Sequence, residues 1–367
     1  MKSLKDFLKV SAKLSLFIPI FLFMIFCNYR IDPSGLFFGS GFERIASEYL
    51  LEGNYISGYE RLDGRKLNEV YAMNVPYAPQ VLINGSSRSM TITADMICQN
   101  KTFYNAANVG ADRCDFFTSY YIFAKESKEP ETIVLSLDAW LFNPDSEALD
   151  ERSNKELYYE FLNCELGLTE YSYTPKNENV KYKALVSPSY FQSAIKYYMR
   201  DRSQDIMPEI VQGDIHSQTS TIKCPDGSII YDKAFMNSTR DQIDYALLSA
   251  TCPDQPLLKM FNFTNLDPEF TKQLELFIEY LQRKNIKVVL YIPPYQEYFY
   301  SVTVARKEQH PAFFEVEDYC HKLAKKYNIP IYGSYDPQEV GLVYEDFLDA
   351  FHMRPNSISK ILPVIAY

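Results

Sequence analysis

Two short stretches, far apart in the chain, hold side chains that can do chemistry together. The first, VLINGSSRSM at 81–90, is an apolar run that stops at Gly85, Ser86 and Ser87, with the cation of Arg88 next and a third serine after it. The second, YEDFLDAFHMRPN at 344–356, sets Asp349 and His352 three residues apart. A hydroxyl, an imidazole to take its proton and a carboxylate to fix the imidazole's tautomer are the parts that acyl transfer needs. Each stretch also has a plainer reading. Serine is a good helix N-cap, so GSS can be a strand-to-helix turn, and D-x-x-H can be a surface carboxylate beside a half-buried histidine. Chain order favours the chemistry. A serine ends the first strand of a sheet as a nucleophile elbow would, and the Asp/His pair follows the last strand, where the carboxyl edge of an open α/β sheet gathers its sites.

The elements that must position these groups are legible as five apolar runs: QVLING (80–85), TFYNAAN (102–108), TIVLSLDAW (132–140), KVVLYIPPY (287–295) and IPIYGSY (329–335). Helical patterns lie between them. In the clearest, Asp267 caps, Pro268 takes the first helical position, and Phe270, Leu274, Phe277, Ile278 and Leu281 form one stripe as far as Arg283. A second helix, from about Ala312 to Tyr327, buries Val316, Cys320, Leu323 and Tyr327. Alternating strands and helices predict an α/β fold with a doubly wound, parallel, five-stranded sheet. About 150 residues separate Asp138 from Lys287, far more than a crossover needs. The expected organisation is a membrane anchor over 1–30, a lead-in over 31–76, an α/β domain from 77–144 and 262–367, and an inserted subdomain over 145–261. The insertion is rich in tyrosine (Tyr158, Tyr159, Tyr171, Tyr173, Tyr182, Tyr190, Tyr197 and Tyr198), either as packing or as a platform for sugar rings.

A chain of 367 residues, 47% apolar, can bury a sizeable core. Its net charge of −10 argues against a nucleic-acid surface. Lys2, Lys5, Lys9 and Lys13 precede the uncharged run LSLFIPIFLFMIFCNY from Leu14 to Tyr29, and no small-residue cleavage site follows. This predicts an uncleaved N-terminal transmembrane helix that starts in the cytoplasm and leaves the rest of the chain extracytoplasmic. Of the seven cysteines, Cys224 and Cys252 either bridge a polar segment or sit as small buried hydrophobes. No spacing suggests zinc, and no cofactor is implied. Arg88 reads either as a solvated residue at a helix start or as a substrate-binding clamp for a carboxylate or phosphate.

Three blocks of the sequence resemble the SGNH, or GDSL, hydrolase superfamily. GSSR at 85–88 is similar to its first block, with Ser87 at the nucleophile position and Ser86 in place of the usual aspartate. NAANVGAD at 105–112 is similar to the second, where Gly110 lends a backbone N–H to the oxyanion hole, and DAFH at 349–352 to the last. The third block departs: the strand ends SLDAWLFN, with Asp138 near the position of a donor asparagine and Asn143 five residues on. The resemblance implies a flavodoxin-like sheet, a catalytic triad of Ser87, His352 and Asp349, and an oxyanion hole of the Ser87 and Gly110 N–H groups; with the usual side-chain donor replaced, either Asn108 or Asn143 substitutes for it or the hole rests on backbone amides alone. The anchor and the D-W-L-F strand look most like membrane-anchored relatives such as the D-alanyl transfer protein of lipoteichoic acid synthesis and the alginate acetylation proteins. That subgroup implies work on a cell-envelope glycopolymer beside a membrane-bound O-acyltransferase.

Overall fold

The computed structural model describes residues 15, 17–31, 41–58, 62–98, 100–144, 153–170, 180–199, 208–252 and 261–365. The chain divides into two units, Met1–Ile45 with Thr174–Met207, and Ala46–Tyr173 with Pro208–Tyr367.

In the first unit, helix Ile18–Ile31 packs against Val180–Leu185 and Pro188–Met199. The buried Asn28 amide donates to the carbonyls of Ala184, Leu185 and Ser187 at 2.9, 2.8 and 3.2 Å, satisfying acceptors left where the two short helices break. Phe17, Ile20, Leu22 and Phe26 stay exposed. The helix has 14 residues, which at 1.5 Å per residue is about 21 Å. Among the described residues no helix is long and apolar enough to cross a membrane, and the expected lysine-rich lead at 1–13 lies outside them.

The second unit is built on five parallel strands, β2 (Val81–Asn84), β3 (Phe103–Asn105), β4 (Thr132–Ser136), β8 (Lys287–Ile292) and β9 (Ile331–Gly333), in the order β3-β2-β4-β8-β9. They are the five apolar runs of the sequence. Side chains alternate between faces as the period of a strand requires: Leu82, Ile133, Leu135, Val288 and Leu290 enter one core, Val81, Ile83, Val134, Val289 and Tyr291 the other. Chain direction across the sheet reverses between β2 and β4, the crevice where doubly wound folds hold their sites. Helix Pro268–Arg283 has the expected cap, Asp267 accepting from the N–H groups of Glu269 and Phe270, and the second expected helix runs Phe313–Tyr327.

The expected boundaries of the insertion and lead-in do not match this division. Helix Arg113–Lys125 is apolar nearly all round, with Cys114 to Phe123 buried, so it needs cover on its outer side. Helix Lys155–Cys164 supplies it, packing Phe161 against Phe117, Tyr120 and Tyr121. Tyr158 is therefore core rather than platform, its hydroxyl donating to Gln273 at 2.8 Å. Tyr182 and Tyr198 belong to the first unit, while Tyr171, Tyr173 and the Tyr197 side chain lie outside the described residues. Helix Gly64–Asn74 of the lead-in packs on Arg113–Lys125, with Tyr71 stacked on Tyr104 at 4.1 Å.

A second, antiparallel sheet joins β1 (Ile56–Ser57), β5 (Glu209–Ile210), β6 (Ile222–Lys223) and β7 (Ile229–Ile230) in the order β5-β1-β6-β7. Its β6–β7 turn docks on the elbow: Ile229 N–H donates to the Met90 carbonyl at 2.9 Å, and Asn105 N–H to that of Asp226 at 2.8 Å. Gly227, at φ +80°, is needed there, because a β-carbon would stand 2.5 Å from the Asn105 oxygen. All seven cysteines are free, Cys224 buried and Cys252 exposed, so the alternative of a bridge between them is not realised.

Candidate active site

The chain leaves β2 through Gly85 and enters tight turns in which the N–H groups of Ser89 and Met90 donate to the carbonyls of Ser86 and Ser87. Among residues 81–90, Ser87 is the one that is not buried. Asn105 braces the turn from below, its amide donating to the carbonyls of Ser89 and Ile92 at 2.8 and 2.9 Å. The elbow thus presents one hydroxyl and hides those of Ser86 and Ser89.

The partners come from a loop closed by the Phe347–Met353 bridge and by hydrogen bonds from Leu348 N–H to the His352 carbonyl and from Arg354 N–H to that of Asp346, both 2.8 Å. His352 Nε2 lies 3.0 Å from Ser87 Oγ, and Nδ1 lies 2.8 Å from Asp349 Oδ2. The other carboxylate oxygen accepts from the backbone N–H groups of Phe351 and His352 at 2.7 and 2.8 Å. Burial pushes the Asp349 carboxyl up, but the imidazole's charge and hydrogen bond and the two N–H groups outweigh it and hold the acid below its ordinary range. The three residues named from the sequence therefore stand in one relay, half-open to solvent.

On the oxyanion side the side-chain candidates fare differently. Both Asn108 amide protons are spent, on the Ala106 carbonyl and Ser119 Oγ at 3.3 Å each, and its oxygen accepts from Asn68. Its side chain is turned into the core and is no donor for the site. Asn143 is buried, and its backbone carbonyl accepts from Arg113 Nη2 at 2.5 Å. Asp138 is fully buried and accepts from Arg88 Nη1 at 2.9 Å, which engages it with the guanidinium. Two backbone groups are further candidates. The Ser87 N–H has no acceptor among the described residues, and Gly110 lies two residues past the Asn108 N–H that bonds the Gly85 carbonyl at 3.0 Å.

Arg88 is corrected outright as a substrate clamp. Its side chain is 1% exposed and paired with Asp138, so it is not the solvated residue at a helix start either. The Ser86 hydroxyl accepts from Arg88 N–H at 3.3 Å, so it serves the turn rather than the solvent face.

Two residues that the sequence did not mark complete the surroundings. Tyr231, just past β7, and Phe235, on the short helix Lys233–Met236, set ring edges against His352 at centroid distances of 5.8 and 6.2 Å. Tyr231 also lines a cleft of about 570 Å³ with Thr91, Met96, Met236 and Arg354, so one of the rings that touch His352 is shared with that cleft. Nothing in their local pattern distinguishes them from packing aromatics. No protein-family model matches the chain, and no curated protein matches it.

Proposed function

We propose that the chain is an SGNH-type serine enzyme that moves or removes an ester-linked acyl group. The observation that carries the reading is the unbroken series Ser87 Oγ, His352 and Asp349, at 3.0 and 2.8 Å, at the carboxyl edge of a doubly wound sheet. In the first half-reaction Ser87 Oγ attacks the ester carbonyl while its proton passes to His352 Nε2. The oxyanion rests on the N–H groups of Ser87 and Gly110. Collapse breaks the ester C–O bond, and the alcohol leaves with the proton from His352. In the second half-reaction an acceptor hydroxyl, or water in a simple esterase, gives its proton to His352, attacks acyl-Ser87 and restores the serine.

The setting is part of the same proposal. Lys2 to Lys13 ahead of an apolar run support a membrane-anchored chain with the site outside the cytoplasm. The resemblance to envelope acylation proteins supports a glycopolymer acceptor and a membrane-bound O-acyltransferase as partner. A second reading, a catalytically silent accessory of such an acyltransferase, is favoured by one observation: no side-chain donor reaches the oxyanion position from Asp138 or Asn108. A missing donor costs about 10²–10³ in rate.

Labelling with a fluorophosphonate, mapped by mass spectrometry, separates the readings. The enzyme is labelled on Ser87, the Ser87→Ala variant is not, and His352→Ala is labelled far more slowly. A folded parent that stays unlabelled supports the accessory reading. Equal labelling of parent and Ser87→Ala refutes the elbow.

A further inference from the structure

Arg88, one residue past the proposed nucleophile, is a junction between strand ends that are remote in sequence. Besides Nη1 on Asp138, Nη2 donates to the carbonyls of Pro293 and Pro294 at 2.5 and 2.7 Å, and Nε to the carbonyl of Phe351 at 3.3 Å. The guanidinium carbon lies 3.8 Å over the Tyr295 ring. Asp138 follows β4, the two prolines follow β8, and Phe351 lies between Asp349 and His352 in the loop after β9. All three nitrogens of the group are therefore committed, each to a different segment at the sheet's carboxyl edge.

The Phe351 contact bears directly on the site. The peptide joining Phe351 to His352 is gripped at both ends, its carbonyl by Arg88 and its N–H by Asp349 Oδ1 at 2.8 Å. The same carboxylate holds His352 Nδ1 through its other oxygen. One guanidinium on the elbow thus reaches the loop that carries both the imidazole and its orienting acid. The buried carbonyls after β8 have no sheet partner from Arg88's side other than this donor, and leaving buried carbonyls unpaired is costly. A planar fork answers all these demands together; an ammonium, a point charge, does not.

We infer that Arg88 is a positioning residue, which latches the Asp349–His352 loop to the Ser87 elbow and so sets the separation of hydroxyl and imidazole. The inference rests on the acyl-transfer reading of Ser87 for its consequence in rate, but the latch itself is a property of the fold.

Arg88→Lys in the full chain tests it, with a fluorophosphonate as probe and backbone amide exchange as a second measurement. The rate constant of the covalent step falls about 10²-fold, as a displacement of about 1 Å does, while the probe's reversible binding constant is unchanged and amides at 349–353 exchange faster. A parental covalent rate in the folded variant overturns the inference. So does a weakened binding constant with an unchanged covalent rate, which places Arg88 against the ligand, and so does unchanged exchange at 349–353. If the parent is not labelled, the enzyme reading has failed, and exchange alone still decides the latch. If Arg88→Lys does not fold, Asp138→Asn, which removes the opposing charge from Nη1 and keeps the shape, gives the same pattern with a smaller fall.

Discussion

Gly85 passes so close to Ser136 that a β-carbon at 85 would stand 2.6 Å from the Ser136 β-carbon and 2.6 Å from the Ser89 hydroxyl. The glycine is required by this approach of the elbow to β4. Neither neighbour has room to retreat, since Ser136 sits within the sheet and Ser89 inside the turn, both fully buried. Gly85→Ala is expected to cost about 1–3 kcal/mol, the usual range for overpacking, and to slow phosphonate labelling by pushing Ser87 off its line with His352. Urea unfolding and labelling rate on one preparation check both. A variant with parental stability contradicts the close packing.

Asp349→Asn keeps an oxygen for the two loop N–H groups but turns an amide toward His352 Nδ1, favouring the wrong tautomer. A loss on the order of 10⁴ in turnover of a chromogenic acetate ester is expected, with some loss of stability near neutral pH that disappears in strong acid. Ser89→Ala keeps the activity, because that hydroxyl is buried inside the turn. The acid's pKa is lowered on folding, so its contribution to stability is present above the ordinary carboxylate range and is lost as pH falls through the depressed value. A loss of parental stability in mild acid, above the ordinary carboxylate range, that Asp349→Asn abolishes would contradict this.

Lys223, fully buried in β6, donates to the Gly227 carbonyl, and burial lowers its pKa from 10.5 to about 8. Between those values the folded chain binds fewer protons at this site than the unfolded chain, so the site's contribution to stability rises with pH and is least favourable below the window. Lys223→Met is expected to be more stable than the parent near neutral pH, with the advantage shrinking toward pH 10. Chemical unfolding of both proteins across that range is the measurement, and a difference that does not change with pH excludes Lys223 as its source.

The proposed topology predicts that a phosphatase reporter fused after Tyr367 is active only when it is outside the cytoplasm. A fusion active in the cytoplasm removes the envelope substrate from consideration while leaving the Ser87 chemistry to be judged separately.

How far the sequence discloses the molecule depends on the length over which a residue's role is written. The five sheet strands are readable because each is an apolar run bounded by turn residues, and helix Pro268–Arg283 because its stripe spans about three turns. Helix Arg113–Lys125 carries no such stripe, being buried nearly all round, so nothing local says that Lys155–Cys164 must cover it. Strands β1, β5, β6 and β7 have two residues each, too few for any period to show. Ser87, Asp349 and His352 were nameable from type and chain order. Arg88 was not, because an arginine beside a serine reads alike whether it faces ligand or core, and its side-chain partners lie 50 to 263 residues away.

Ile56, in the middle of the small sheet, pairs with Ile210 on one side and Lys223 on the other. At roughly 5–20 residues per second, the ribosome needs on the order of ten to thirty seconds to travel from β1 to its first partner. Throughout that interval both edges of the strand are open to any other extended segment, and the surface that will receive the β6–β7 turn is uncovered. Unpaired strand edges of this kind are what makes incompletely folded chains prone to aggregate.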